Sequence, residues 1–374
     1  MNILHICNGY ADSIVHSNLI RTLDELGVQQ TVYCPVREKE FLGKYKFEGR
    51  KIDFVYSYCI KPWYKFVYHY KRWMLYKDMK RRITLDKFDV IHAPSLFSDG
   101  GLALKLHKEY GIPYVVAVRN TDINVFIKYL KHTYHTGREI ALKAKTIFFI
   151  SKGEMDEFIE SDFVRPIYSQ IKDKIVLQPN GIDHYWHEHV SHTPRTGHRL
   201  LYIGDFTPNK NVCRVIKAIN QLRDTAEFAD LKFTIVGGGK DKNDSTLKMI
   251  ESYPDFIEYL GKIYDKERLA GIMQQSALFV MPSIHETFGL VYIEALSQNL
   301  PVIYSKRQGI DGLFDESVGI RVNARSVDEI REAIRNILKN PEKYSNKDID
   351  FTEFDWNNIA EKYLGFYQGA IKRV

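Results

Sequence analysis

Short runs of β-forming apolar residues recur along this chain with helix-period stretches between them, and that alternation restricts the fold more than any other feature. NILHICNG (2–9) comes first. Strand-like runs follow at 30–34, 52–56, 89–92, 113–118, 146–150 and 174–178, then at 199–203, 231–236, 256–260, 277–281, 301–304 and 318–322. Continuous apolar runs suit strands buried on both faces, and helices between them allow the crossovers that parallel strands need. A chain of 374 residues exceeds what one hydrophobic core serves, so two such sheets are expected. The polar stretch HEHVSHTPRTGH (187–198) reads as a linker between a first domain over 1–190 and a second over 191–350, with a last amphipathic helix within 351–374. Four histidines in that stretch lack the spacing of a metal site.

The composition is that of a soluble globular protein, 44% apolar. Cys7, Cys34, Cys59 and Cys213 are scattered without C-x-x-C spacing, which fits free thiols in a reducing compartment. No apolar run reaches the ~18 residues of a membrane span, so a cytoplasmic protein is expected. The net charge of +6 belongs to the first half, where residues 1–190 hold 28 Lys and Arg against 22 Asp and Glu. No nucleic-acid motif accompanies it. Its densest part is KPWYKFVYHYKRWMLYKDMKRR (61–82), with eight basic residues against Asp78. Trp63, Phe66, Val67, Tyr70 and Met74 recur at helical spacing there, flanked by Lys71, Arg72, Lys80, Arg81 and Arg82. This pattern predicts a basic helix, either docked by its aromatic face or lying against an anionic membrane surface.

HETFGLVYIEAL (285–296) is the stretch with the most chemistry. It follows the apolar run ALFVMPS (277–283) and reads as a strand, a turn and a helix opening near Gly289. First-turn amides of such a helix, those of Phe288, Gly289 and Leu290, suit an anion such as a diphosphate. Eight residues separate Glu286 from Glu294, about 12 Å if all are helical, so the carboxylates can flank whatever the amides hold. Ionised carboxylates only accept hydrogen bonds, and sugar diols donate them.

The order LLYIGDFTPNKN (200–211), FTIVGGG (233–239), IEYLGKI (257–263), SALFVMPSIHETFGLVYIEAL (276–296), PVIYS (301–305) and VGIRV (318–322) resembles the donor-binding half of a family 4 glycosyltransferase. FDVIHAP (88–94), FFISKGEMDEFI (148–159) and IVLQPNGID (175–183) extend the resemblance through the first half. It implies a GT-B fold, two Rossmann-like domains facing a cleft, with the last helix crossing back to the first domain. It also implies a retaining enzyme that uses a UDP- or GDP-sugar as co-substrate, a glycan or lipid-linked acceptor, and no further cofactor. Glu286 then contacts the donor sugar and Lys210 the diphosphate. Glu294 takes the ribose, and Gly204, Gly237, Gly261, Lys262 and Ile263 complete the donor site. Gly9 stands where the family has a glycine-rich loop at the cleft.

Two positions depart from the family pattern. Asp205 follows Gly204 where an arginine is usual, so Arg307 or Arg119 becomes a candidate second cation. Arg119, with Asp122 three residues on, stands where the family has a histidine. An Arg119–Asp122 pair that orders a loop and a contact with donor or acceptor are both open. Gly237-Gly238-Gly239-Lys240 does not meet the P-loop pattern, and the lone D-x-D, Asp348 to Asp350, lies far from the donor motifs, so no metal site is expected. Alternatives are a GT-B phosphorylase or epimerase and a non-catalytic subunit that binds a nucleotide sugar or glycan.

Overall fold

The structure, a computed structural model, describes residues 1–239 and 245–372, without the side chains of Lys65 and Phe66. Lys240 and the Phe66 side chain, both named above, lie outside the described residues. The chain divides into two compact units, Met1–Ile150 with Glu154–Gly181 and Trp356–Val374, and Ser151–Gly153 with Ile182–Asp355.

In the first unit β1 (Asn2–Ile6), β2 (Gln29–Val36), β3 (Ile52–Tyr58), β4 (Val90–Ala93), β5 (Tyr114–Ala117), β6 (Ile147–Phe149) and β7 (Ile175–Leu177) form a sheet of order 3-2-1-4-5-6-7. All its pairings are parallel. One face carries the large core that includes Leu4, Ile91, Phe97 and Phe149, closed by helices such as Tyr68–Arg82 and Gly100–Tyr110. The helix Trp356–Lys372 packs Ile359, Tyr363 and Tyr367 against Ile3, Val90, Val115 and Phe148. Burying such side chains contributes about 1.5–3 kcal/mol each, so this distant segment is an integral part of the first unit. The Tyr367 hydroxyl lies 2.9 Å from His92 Nδ1, giving that buried ring a polar partner.

The second unit contains β8 (Arg199–Asp205), β9 (Lys232–Gly238), β10 (Ile257–Tyr259), β11 (Leu278–Val280), β12 (Val302–Ser305) and β13 (Gly319–Val322), in the order 10-9-8-11-12-13 and all parallel. β8 and β9 approach closely at their carboxyl ends. A Cβ on Gly237, whose φ is +140°, would lie 1.9 Å from the Gly204 carbonyl oxygen, so this position excludes a side chain.

The boundary falls at Gly181/Ile182 rather than after residue 190, and residues 351–355 stay with the second unit. The reason is hydrogen bonding. The Ile182 amide donates to the Phe354 carbonyl at 2.9 Å and the Ser191 amide to the Ser297 carbonyl at 2.8 Å. Arg195 is buried and donates through Nε to Gln298 O at 2.8 Å. Asn346 donates to Ser191 O and Leu296 O. The stretch read as a linker is therefore stitched into the second unit. Its histidines go to separate partners, His192 to Asn346 and His198 to Asp230.

Candidate functional site

In each sheet the strand order reverses once, between β1 and β4 and between β8 and β11. Crevices open outside the carboxyl ends of parallel strands at such points.

At the β8/β11 reversal, β8 leads into the turn Pro208–Lys210 and β11 leads through a loop to the helix Leu290–Ser297. Two asparagines bind these segments together. Asn209 accepts the Ile284 amide on its carbonyl oxygen at 2.7 Å and the His285 amide on Oδ1 at 2.9 Å, and its Nδ2 donates to His285 O at 2.7 Å. Asn211, in the left-handed region at φ +64°, donates through Nδ2 to Pro282 O at 2.9 Å and Ala324 O at 2.6 Å. The Glu286 amide donates to Gln308 Oε1 at 3.0 Å, and its carbonyl accepts the Gly309 amide at 2.8 Å. Its carboxylate, on a residue only 9% exposed, accepts Lys210 Nζ at 2.6 Å and Ser283 Oγ at 3.0 Å. A carboxylate bound by an ammonium and a hydroxyl is fixed in direction.

Gly289 caps the helix at φ +77°. The amides of Phe288 and Gly289 have no protein acceptor among the described residues. They stand at a helix N-terminus, where the backbone carries partial positive charge. The helix begins only at Leu290, so Glu286 sits in the preceding loop and the continuous helical rise to Glu294 is not realised. Gly289 forces this, because its left-handed backbone ends the loop there. Glu294 lies on the helix, where burial foremost and Asp183 next push its carboxyl from 4.5 to about 7, against opposing effects of Lys266 and Trp186. Asp183 itself pairs with Lys266 at 2.5 Å.

The other donor-side residues gather near the β8 and β9 ends. Gly261, at φ +68°, accepts the Gly237 amide at 2.8 Å, and Ile263 follows it in the same loop. Lys262 Nζ lies 3.9 Å from Asp205 Oδ1, so the cation beside Asp205 is Lys262. Arg307 is exposed, takes φ +59°, and adjoins the Gln308–Gly309 pair that holds Glu286.

The first unit treats its crevice differently. Asp99 accepts the Asn8 amide at 3.0 Å and the Ser95 hydroxyl at 2.8 Å, beside Gly9. Asp122 does not pair with the Arg119 guanidinium. It accepts the amides of Leu96, Phe97 and Arg119, each at 3.0 Å, and is 1% exposed. Burial pushes Asp99 up to about 7 and Asp122 up to about 6 against those hydrogen bonds. Asp122 thus orders the loops of Leu96, Phe97 and Arg119, and Arg119 Nε donates to Pro94 O at 3.0 Å.

The basic helix also differs from its expected form. Residues Pro62–Phe66 are a 3-10 turn and the α-helix begins at Tyr68, which breaks the assumed period. The docked face is Tyr68, Leu75, Tyr76 and Met79, whereas Trp63, Val67, Tyr70 and Trp73 are exposed and Met74 is half-buried. Lys80 pairs with Glu109 at 2.7 Å and Arg82 with Asp78 at 3.0 Å, so neither is an unpaired basic group. Lys71 and Arg72 are half-buried, and Arg81 is exposed.

Two family models meet near the boundary between the units: Glycosyltransferase Family 4 matches residues 14–186 and Glycosyl transferases group 1 matches residues 187–348. This chain is a family 4 glycosyltransferase with the GT-B fold. It is 26% identical over 371 residues to TuaC of Bacillus subtilis, a glycosyltransferase assigned to teichuronic acid biosynthesis, covering 89% of this chain and 88% of that one. It is 25% identical over 180 residues, 47% of this chain and 46% of the other, to the N,N'-diacetylbacillosaminyl-diphospho-undecaprenol alpha-1,3-N-acetylgalactosaminyltransferase of Campylobacter jejuni. The sucrose-phosphate synthase of Thermosynechococcus elongatus shares the fold at a TM-score of 0.72 and 17% identity, with all of both chains covered.

Sequence reasoning missed four residues of this glycosyltransferase's site: Asn209, Asn211, Ser283 and Gln308. Lone amides and hydroxyls have no periodic signature. The one available cue was Asn209 and Asn211 on either side of Lys210 in a turn-forming PNKN segment.

Proposed function

We propose that this glycosyltransferase moves a hexosyl group from a UDP- or GDP-sugar, with retention, to a glycan or lipid-linked acceptor in cell-surface polysaccharide or glycolipid synthesis. The reading is carried by the unpaired Phe288 and Gly289 amides beside the Glu286–Lys210 pair. An anion fits there, and Lys210 can reach it while keeping Glu286, because an ammonium has three donors. The names of the two relatives, one concerned with a surface polymer and one with a diphospho-undecaprenol acceptor, support the acceptor class.

In this mechanism the bond from the anomeric carbon to the diphosphate oxygen lengthens first. Lys210 and the helix amides take the growing phosphate charge, as preorganised donors that need no reorientation. The acceptor hydroxyl attacks from the departing side, its oxygen bonds to the anomeric carbon, and its proton passes to the leaving phosphate oxygen. Glu286 holds a donor-sugar hydroxyl and Glu294 the ribose diol. Lys262, 3.9 Å from Asp205, partly offsets that carboxylate's charge beside the diphosphate. The lone D-x-D, Asp348 to Asp350, lies far in sequence from the donor motifs, and in this proposal the charge falls to Lys210 and the amides. Incubation of the protein with UDP- and GDP-sugars and candidate acceptors in excess EDTA tests it. Product with the donor's anomeric configuration is expected. Inverted product, or activity that returns only with magnesium or manganese, would reject the mechanism.

No described helix is long and apolar enough to cross a membrane. We propose a cytoplasmic protein that touches an anionic membrane through exposed Trp63, Tyr70 and Trp73, with Lys77 lying 3.8 Å over the Trp73 ring. Co-sedimentation with phosphatidylglycerol vesicles at low salt checks this, and equal recovery with neutral vesicles would rule it out.

A further inference from the structure

A second cation-lined cavity lies wholly in the first unit. Its volume is about 180 Å³, and its walls include Arg37, Lys71, Arg72, Tyr64, Tyr68 and Phe126. Three basic side chains converge on it with no ion-pair partner for any of them among the described residues, in contrast to Lys80 and Arg82 on the same helix. Arg72 is the most telling. Its Nη1 is buried with no hydrogen-bond partner, its stem lies against Gly101 where a Cβ would approach Cδ to 2.7 Å, and its guanidinium lies 5.7 Å from the Tyr68 ring centre. A buried guanidinium donor left unpaired costs about 1–3 kcal/mol or more, and an acceptor that reached this guanidinium would offset that cost.

Two further observations point the same way. Burial and then Arg37 pull the Lys71 ammonium below the ordinary lysine range, with Asp99 between them in weight and opposing. The carboxyl of Asp99 is already occupied by the Asn8 amide and Ser95. Another part of the wall comes from the π-helical turn Asp122–Ile127, which supplies Val125 and Phe126, and such turns concentrate at functional sites.

We infer that this cavity binds a phosphate or diphosphate group, through Arg37, Lys71 and Arg72. Planar guanidinium forks match phosphate oxygens in pairs, and a lysine adds a point charge. The size fits a single anionic group, since sites for whole drug-sized ligands run from roughly 300 to 1,000 Å³. Tyr64 in the wall contacts Trp63 at 4.6 Å and Tyr70 at 5.7 Å between ring centres, and both of those are exposed. A molecule carrying the phosphate can therefore continue from the cavity onto an aromatic surface. This deepens the proposed activity by giving its acceptor a phosphate, and rests on that reading for the ligand's role but not for the existence of the site.

Isothermal titration with inorganic pyrophosphate tests the site on the full chain, using wild type, Lys210→Ala, Arg72→Gln, Lys71→Gln and the double variant Lys210→Ala/Arg72→Gln. Wild type is expected to bind at two sites and Lys210→Ala at one. The double variant should bind at least about tenfold more weakly than Lys210→Ala, as loss of one charge-assisted hydrogen bond implies. Lys71→Gln, on a half-buried residue, guards against misfolding of the Arg72 variant, and thermal unfolding of each checks it. Binding by Lys210→Ala that neither Arg72→Gln nor Lys71→Gln weakens would overturn the inference. Loss of one site in Arg72→Gln with no change in Lys210→Ala would support it while rejecting the diphosphate site of the second unit. Farnesyl diphosphate distinguishes the source. Tighter binding than pyrophosphate, abolished by Trp63→Ser, supports the site as one for a lipid diphosphate, and equal binding supports it as one for a free anion.

Discussion

The two sheets reverse their strand order in the same way, yet the two crevices handle their backbone amides in opposite ways. In the first unit Asp99 and Asp122 occupy the amides of Asn8, Leu96, Phe97 and Arg119. In the second unit the amides of Phe288 and Gly289 remain without a protein acceptor among the described residues, and the nearby carboxylate, Glu286, is bound to Lys210 instead. A parallel sheet with a reversal supplies an anion crevice, and the loops decide whether the protein fills it with its own carboxylate or leaves it for a ligand. This contrast supports the proposal that the donor diphosphate binds in the second unit.

The contrast can be broken by mutation. Lys210→Ala should lower kcat by about 10²–10³-fold, the loss typical of one preorganised donor to a developing oxyanion, and should also lower the thermal midpoint, because it leaves the nearly buried Glu286 carboxylate without its cation. Steady-state kinetics beside a melting curve checks it, and near-normal turnover would remove the cation from the account. Glu286→Ala should cost roughly 10- to 150-fold in kcat, the worth of a charge-assisted hydrogen bond. Glu294→Ala should act more on KM than on kcat, because a ribose does not change in the transition state.

In the first unit the consequence should fall on stability. Asp122→Ala leaves the amides of Leu96, Phe97 and Arg119 unpaired, the first two of them buried and each of those costing about 1–3 kcal/mol, and should lower the urea midpoint without weakening nucleotide binding to the folded fraction. Reduced nucleotide affinity with unchanged stability would erase the distinction between the crevices.

The smallest effect is a pH dependence. Burial foremost holds the Glu294 carboxyl at about 7 instead of 4.5, so the folded state keeps a proton that the unfolded state has lost. Stability from this group therefore falls as pH rises from about 4.5 through 7. Nucleotide binding should rise severalfold across pH 7, as the carboxylate that accepts from the ribose diol forms. Glu294→Gln should flatten that part of the profile, and an unchanged profile in the variant would place the titration elsewhere.

The sheets were legible because parallel strands buried on both faces need apolar residues without alternation, and runs such as TIVG (234–237) and ALFVMPS (277–283) have them. The proximity of Glu286, Gly289 and Lys210 was legible through motif order. The domain boundary was not. Residues 187–198 look solvated because they are polar, but Arg195 and its neighbours spend that polarity on main chain a hundred residues away. The basic segment misled for another reason. Tyrosines suit either side of a helix, and the 3-10 turn before Tyr68 shifts which of them face the core. The closure of the first crevice by Asp99 and Asp122 depends on loop geometry that no spacing rule conveys.

Titration of amide-labelled protein with UDP and GDP tests the central claim most directly. The account predicts saturable shifts of the Phe288 and Gly289 amide resonances with at least one nucleotide, lost in Lys210→Ala, while the Asn8, Leu96 and Phe97 amides stay in place. Shifts at Asn8, Leu96 and Phe97 with Phe288 and Gly289 unmoved would contradict it.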